Sequence, residues 1–343
     1  MPDINIAAAD PFISPENDKS RTGISNIRSF IPGYWKPVIL LLFITPILTE
    51  LLTNNIPFHI LFRPEFFLTL AIHVYGPVLL LRELAIRWNL RLTGYILLGL
   101  AYGIYNEGLF AKTFFKSEIA NTAFNHYGIM WGINLPWAAV IIVFHAFYAL
   151  VFPIVIVYAI CPKAASEPWL NKKWWIAISA AAFLYISYKF LKNSWPATAW
   201  HYVALIACMA SLIILSGRFK GGLANNDKKQ RLWLVAYGIV FVVTTFTVSA
   251  LIAGYRIQFL YFLAYSVINL AAATILLGRG YGIRSLLIFS LTAQLGFAAA
   301  VIMVSTAARS EAGIITGSLF VVVFAATLIA LIAKRWPANE KID

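Results

Sequence analysis

From residue 36 onward the chain alternates long apolar runs with short charged or aromatic breaks. A helix needs about 20 apolar residues to cross the hydrocarbon core. The sequence offers ten runs of that order, over 36–53, 65–87, 93–115, 134–160, 173–191, 197–217, 232–254, 256–278, 283–307 and 312–333. These runs are continuously apolar, whereas the strands of a membrane barrel alternate apolar and polar positions. The pattern therefore predicts an all-α polytopic membrane bundle of about ten transmembrane helices. The first run is short, and almost nothing separates the seventh from the eighth. Residues 1–33 are polar and contain no apolar run, so they read as a disordered cytoplasmic tail and not as a signal peptide.

Composition supports this reading. Hydrophobic residues make up 61% of the 343 positions and charged residues 12%, against roughly 45–50% and about 25% in soluble domains. A soluble enzyme and a disordered chain are thereby excluded. The net charge of +13 acquires a meaning once it is mapped. With the N-terminus placed inside, 20 of the 27 Lys and Arg residues fall on inner segments and 7 outside, as the positive-inside rule requires. Both termini are then cytoplasmic, the membrane is the plasma membrane, and the inner face meets anionic lipid. The basic residues flank spans instead of forming a patch, so nucleic acid is not an expected partner. All 11 Trp residues stand near run ends, the pattern of an interfacial belt. The sequence divides into a membrane bundle over 34–216 that holds ionisable residues, a basic loop over 217–231, and an apolar bundle over 232–335.

Cys161 and Cys208 lie in no metal or redox motif and read as small apolar residues. Walker, GxSxG, HExxH, EF-hand and dinucleotide motifs are all missing. Chemistry must therefore rest on ionisable groups inside the spans, each costing about 2.5–3.5 kcal/mol on insertion scales. Glu107 follows Gly99 and Gly103 at i, i+4, i+8, a small-residue stripe that turns it toward a neighbouring helix. At about 1.5 Å per residue, Glu107 and His73 lie about 12 Å below the outer end and His145 about 16 Å. Glu50 closes the first run near the same face. Together with Asn106 these residues predict one polar cluster, in which Glu107 and His145 are the catalytic candidates. His73, Glu107 and His145 are the candidate ligands of a divalent metal. Glu83 and Arg87 have the spacing of a helical ion pair. Lys112 and Lys116 have stems long enough to snorkel. His59, His126 and His201 read as interfacial, and the loop 116–133 as lying on the membrane surface.

Four segments carry a resemblance: Thr49-Glu50-Leu51-Leu52 with Ile56-Pro57, Leu81–Trp88 (LRELAIRW), Leu98–Leu109, and Phe144-His145-Ala146. Over residues 36–162 the chain resembles a family of uncharacterised polytopic membrane proteins of archaea and bacteria. That family looks distantly similar to the CPBP group, which includes CAAX-type intramembrane proteases. The resemblance implies a Glu and a His that activate water or bind a metal, carried over to Glu107 and His145. This chain departs from the CPBP pattern in having Asn106-Glu107 where a Glu pair stands and Ala111 where an Arg stands, with Lys112 one place off. It also has no Phe-x-x-x-His before His145 and no His-x-x-x-Asn. Three readings stay open: a CPBP-like intramembrane hydrolase or transferase, a proton-coupled small-molecule transporter, and a non-catalytic membrane subunit. Oligomeric state and partner subunits are not legible.

Overall fold

A computed structural model describes residues 34–53, 55–61, 63–119, 122–192, 196–223, 233–277, 280–307 and 309–333. The tail 1–33 and most of the basic loop, from 224 to 232, lie outside the described residues. The apolar runs become long helices with ends close to those expected. They are α1 (Trp35–Pro46, continuing through Ile47–Leu51), α2 (Pro64–Arg87), α3 (Leu92–Gly103, continuing through Ile104–Phe110), α4 (Leu135–Ile160) and α5 (Lys172–Lys192). There follow α6 (Ala199–Ser216), α7 (Trp233–Gly254), α8 (Phe259–Leu277), α9 (Ile283–Ala307) and α10 (Glu311–Ala333). Eight of them are long and apolar enough to cross a membrane by length and composition alone. The other two are α1, which is short, and α3, whose last turns hold Asn106 and Glu107. The protein is an all-α polytopic membrane protein.

Helix α4 is the axis. Of its most apolar window 83% is buried, against 6% for α5 at the periphery. Its neighbours include α1, α3, α8 and α9. The approach of α3 is set by two glycines. A Cβ on Gly99 would stand 2.6 Å from Cα of Ala146, and one on Gly103 would stand 2.8 Å from Cα of Ile142. Only hydrogen fits at those positions, so the backbones touch and Glu107 is carried toward α4. The C-terminal helices join the same core through aromatic rings, with Phe144 stacked on Tyr148 at 5.0 Å and Tyr148 at 4.9 Å from Phe297. The Tyr148 hydroxyl also donates to the Ala293 carbonyl at 3.1 Å.

Loops gather by end. At one end, Arg91 N donates to Phe219 O at 2.9 Å, and residues 162–170 cover Arg82, Glu83 and Arg87. At the other, Tyr127 donates to the Ile257 carbonyl, and His201 Nε2 donates to the Trp131 carbonyl at 2.6 Å. The loop 116–133 keeps Ile129 and Trp131 exposed while two of its aromatic rings turn inward. Phe124 and Tyr127 are buried against Phe262. A two-stranded hairpin, β1 (Ile129–Met130) and β2 (Ile133–Asn134), turns through Trp131 and Gly132, both at positive φ. Asn134 then caps α4 by accepting from Trp137 N at 3.1 Å.

Helix α3 ends at Phe110 instead of reaching residue 115. Lys112 adopts φ +55 and breaks the helix, and Thr113–Phe115 forms a single 3-10 turn. Hydropathy does not register this break because Phe114 and Phe115 are apolar and pack inward. Trp169 is a second correction. It is fully buried, not part of an interfacial belt, because its indole donates to the Ala164 carbonyl at 2.7 Å and stacks on Arg82.

Candidate functional site

Five segments of the described chain take π-helical geometry: Ile47–Leu51, Ala71–Tyr75, Ile104–Phe110, His145–Val151 and Val243–Val248. One extra residue per turn widens the helix and redirects side chains, which is why such turns concentrate at functional sites. Four of the five hold the intramembrane ionisable residues singled out by sequence. Glu50 lies in the first, His73 in the second, Asn106 and Glu107 in the third, and His145 in the fourth.

The third and fourth meet. Glu107 Oε1 stands 3.5 Å from His145 Nε2, and both groups are about nine-tenths buried. Asn106 Nδ2 lies between them, 2.7 Å from Nε2 and 3.1 Å from Oε1. An amide nitrogen only donates, so Nε2 accepts, and the imidazole proton sits on Nδ1, which donates to the Ile141 carbonyl at 2.9 Å. The second Glu107 oxygen accepts from the Thr113 hydroxyl, whose own oxygen accepts from the Trp137 indole at 3.0 Å. His145 Nε2 and Glu107 Oε1 are thus two acceptors held on the one Asn106 amide. A third, Asn106 Oδ1, is buried with no hydrogen-bond partner. The centre is rich in acceptors and fits a donor such as water, a hydroxyl or an ammonium group. Thr113 and Trp137 were not expected from sequence. The only cue was their place beside the break that ends α3.

The remaining members of the expected cluster divide. The carboxylate of Glu50 lies within electrostatic range of Glu107 but accepts a hydrogen bond from Asn55 at 2.7 Å. His73 stays apart. Its Nδ1 is paired with the Thr69 carbonyl at 2.8 Å, and its ring stacks on Phe110 at 4.5 Å. Among the described residues no three His, Cys, Asp or Glu side chains are grouped so as to hold a metal ion. Glu107 and His145 therefore lack His73 as a third ligand, while catalytic zinc uses three protein ligands. Lys112, just beyond the break, points inward to the Phe190 carbonyl at 3.3 Å instead of snorkelling, and burial lowers its ammonium below the ordinary pKa.

A second polar centre occupies the opposite end. Arg82 and Glu83 are fully buried and paired at 2.6 Å. Arg82 also reaches the Tyr158 hydroxyl at 3.0 Å and the Ala164 carbonyl at 2.7 Å. Glu83 accepts from the backbone of Trp169 at 2.8 Å and of Leu170 at 3.3 Å. The expected partner of Glu83, Arg87, stands farther off at 3.7 Å. Every charge here is satisfied by protein, which marks a structural lock. Of the other histidines, His201 is buried and holds the hairpin, and His126 pairs with Glu118 at 3.0 Å on the surface.

Comparison with known proteins adds the family. No curated protein and no solved structure matches the chain. A family model described as "Uncharacterized membrane protein family" matches residues 39–342, so the likeness extends through the C-terminal helices and beyond the 36–162 seen from sequence motifs. With 304 of its 343 residues inside that match, the chain belongs to this uncharacterised membrane protein family.

Proposed function

We propose that the protein is an intramembrane acid–base enzyme of the hydrolase or transferase class, working through Glu107 and His145. The observation that carries this reading is the 3.5 Å gap between two acceptors, spanned by Asn106 Nδ2. A nucleophilic O–H that takes the place of the Asn106 amide on His145 Nε2 gives its proton to that nitrogen as its oxygen bonds to the acyl or phosphoryl centre of the substrate, and His145 returns the proton to the leaving oxygen as the bond to it breaks. General acid–base catalysis of this kind is worth about 10²–10⁴-fold. The unpartnered Asn106 Oδ1 supports a site that receives a ligand, since a purely structural cluster would satisfy it.

The test compares purified wild type with Glu107→Gln and His145→Ala in vesicles of membrane-lipid extract, following new lipid products by mass spectrometry. Loss of products from both variants, with folding retained, supports the reading. Full activity in both removes it.

Proton-coupled transport is the second reading, favoured by the convergence of π-turns from α1, α3 and α4 around one carboxylate. Uptake into proteoliposomes that responds to a pH gradient and is lost in Glu107→Gln would favour it over the enzyme. Ten crossings of the plasma membrane with both ends cytoplasmic complete the proposal. The uneven charge distribution and the gathering of alternate loops at opposite ends support that topology.

A further inference from the structure

A lateral groove of about 250 Å³ opens between α2, α3, α5 and α6. Its walls include Pro77, Leu81, Tyr102, Tyr105, Ala182 and Met209. Three of the four helices that form it, α2, α5 and α6, are long and apolar enough to cross a membrane, and little of α5 or α6 is buried, so the groove faces the acyl region. Its inner wall is shared with the acid–base centre. The ring of Tyr102 lies 5.6 Å from that of His145 and 5.9 Å from that of Tyr105. Tyr105 precedes Asn106 and Glu107 in the same π-turn.

Charge gives the groove a direction. On α5 the groove residues Ser179, Ala182, Phe183 and Ile186 lie on one face, and Lys189 continues that face one turn toward the outer end. Lys189 Nζ stands 6.0 Å over the Tyr185 ring, which in turn lies 6.2 Å from Phe110. Neither α5 nor α6 carries an acidic residue. An apolar slot at membrane depth, with a cation at one end and no acidic residue on the two helices of its outer wall, fits an amphiphile with a negative head.

We propose that the groove holds one hydrocarbon chain of an anionic, phosphate-bearing membrane lipid, with its headgroup at Lys189 and its polar link directed past Tyr105 toward Glu107 and His145. This names the substrate class of the acid–base centre and rests on that reading for its catalytic part. Binding itself does not depend on it.

The full chain is placed in phosphatidylcholine nanodiscs containing a phosphatidylglycerol whose acyl chain bears a photoreactive diazirine. After illumination, adducts are located by peptide mass spectrometry. Adducts are expected on the groove faces of α2, α3, α5 and α6. Ala182→Trp, filling the floor, is expected to lower their yield roughly tenfold, the factor for about two methylenes losing burial. Ser179→Phe serves as a second filling variant should the first fail to fold. Lys189→Ala is expected to reduce labelling by the anionic probe and to spare that by a diacylglycerol carrying the same chain. Adducts spread evenly over the outward faces, or unchanged yield in a folded filling variant, would overturn the proposal. Glu107→Gln separates the two ideas: groove labelling persists in it, whereas turnover is lost if the acid–base reading is right.

Discussion

At the residue scale, the account turns on which groups share a proton. Asn106 Nδ2 holds His145 Nε2 and Glu107 Oε1 in register, and Thr113 with Trp137 holds the far carboxylate oxygen. Thr113→Val keeps the shape and removes the hydroxyl donor. It is expected to slow lipid turnover about 10–150-fold, in line with a lost hydrogen bond of about 1.5–3 kcal/mol to a charged group. The affinity for the groove probe should stay unchanged. A rate equal to wild type would show that Thr113 does not position Glu107. Glu107 and His145 were legible in the sequence because an ionisable group in a span needs a reason and their depths agree. The stripe of Gly99 and Gly103 even gave the direction of Glu107. His73 shares the same depth, yet the aromatic faces of Phe110 and Tyr185 take its ring, and depth carries no information about azimuth. Thr113 and Trp137 were not legible because nothing in the apolar pattern reveals the turn that folds residue 113 back on residue 107.

At the element scale, the determinants are close helix contact and the buried lock. Gly99→Ala would push a methyl group into the backbone of α4, so it should cost about 1–3 kcal/mol as overpacking does. Gly254→Ala, with open space around it, serves as the control. Thermal unfolding in detergent, read by Trp fluorescence, compares them. Equal melting temperatures would mean that α3 and α4 do not meet as described. For the lock, Arg82→Met leaves Glu83 buried without its cation and is expected to destabilise by about 3–5 kcal/mol. The Arg82→Met, Glu83→Leu double variant should recover much of that loss, because a buried pair replaced together leaves no uncompensated charge. A double variant worse than the single would contradict this. The helices themselves were legible from hydropathy, since crossing a bilayer demands length and apolarity. The π-turns were not, because inserting one residue into a turn leaves the apolar run intact.

At the scale of the whole molecule, the described helices assemble on α4, with an acceptor-rich centre toward one end and a satisfied ionic lock toward the other. In a chain with Cys161 and Cys208 replaced by Ala, single cysteines at Gln258 and Lys220 test the orientation. An impermeant maleimide added to intact cells should label Gln258→Cys and label Lys220→Cys only after the cells are opened. The reverse pattern would invert the topology. The central claim, that Glu107 and His145 act on one proton as a unit, is tested most directly by a double-mutant cycle on lipid turnover. Rates would be measured for wild type, Glu107→Gln, His145→Ala and the double variant. The account predicts that each single change lowers the rate about 10²–10⁴-fold and that the double variant is no slower than the worse single one, as for residues working together. Losses that multiply in the double variant, or a single variant as fast as wild type, would contradict it.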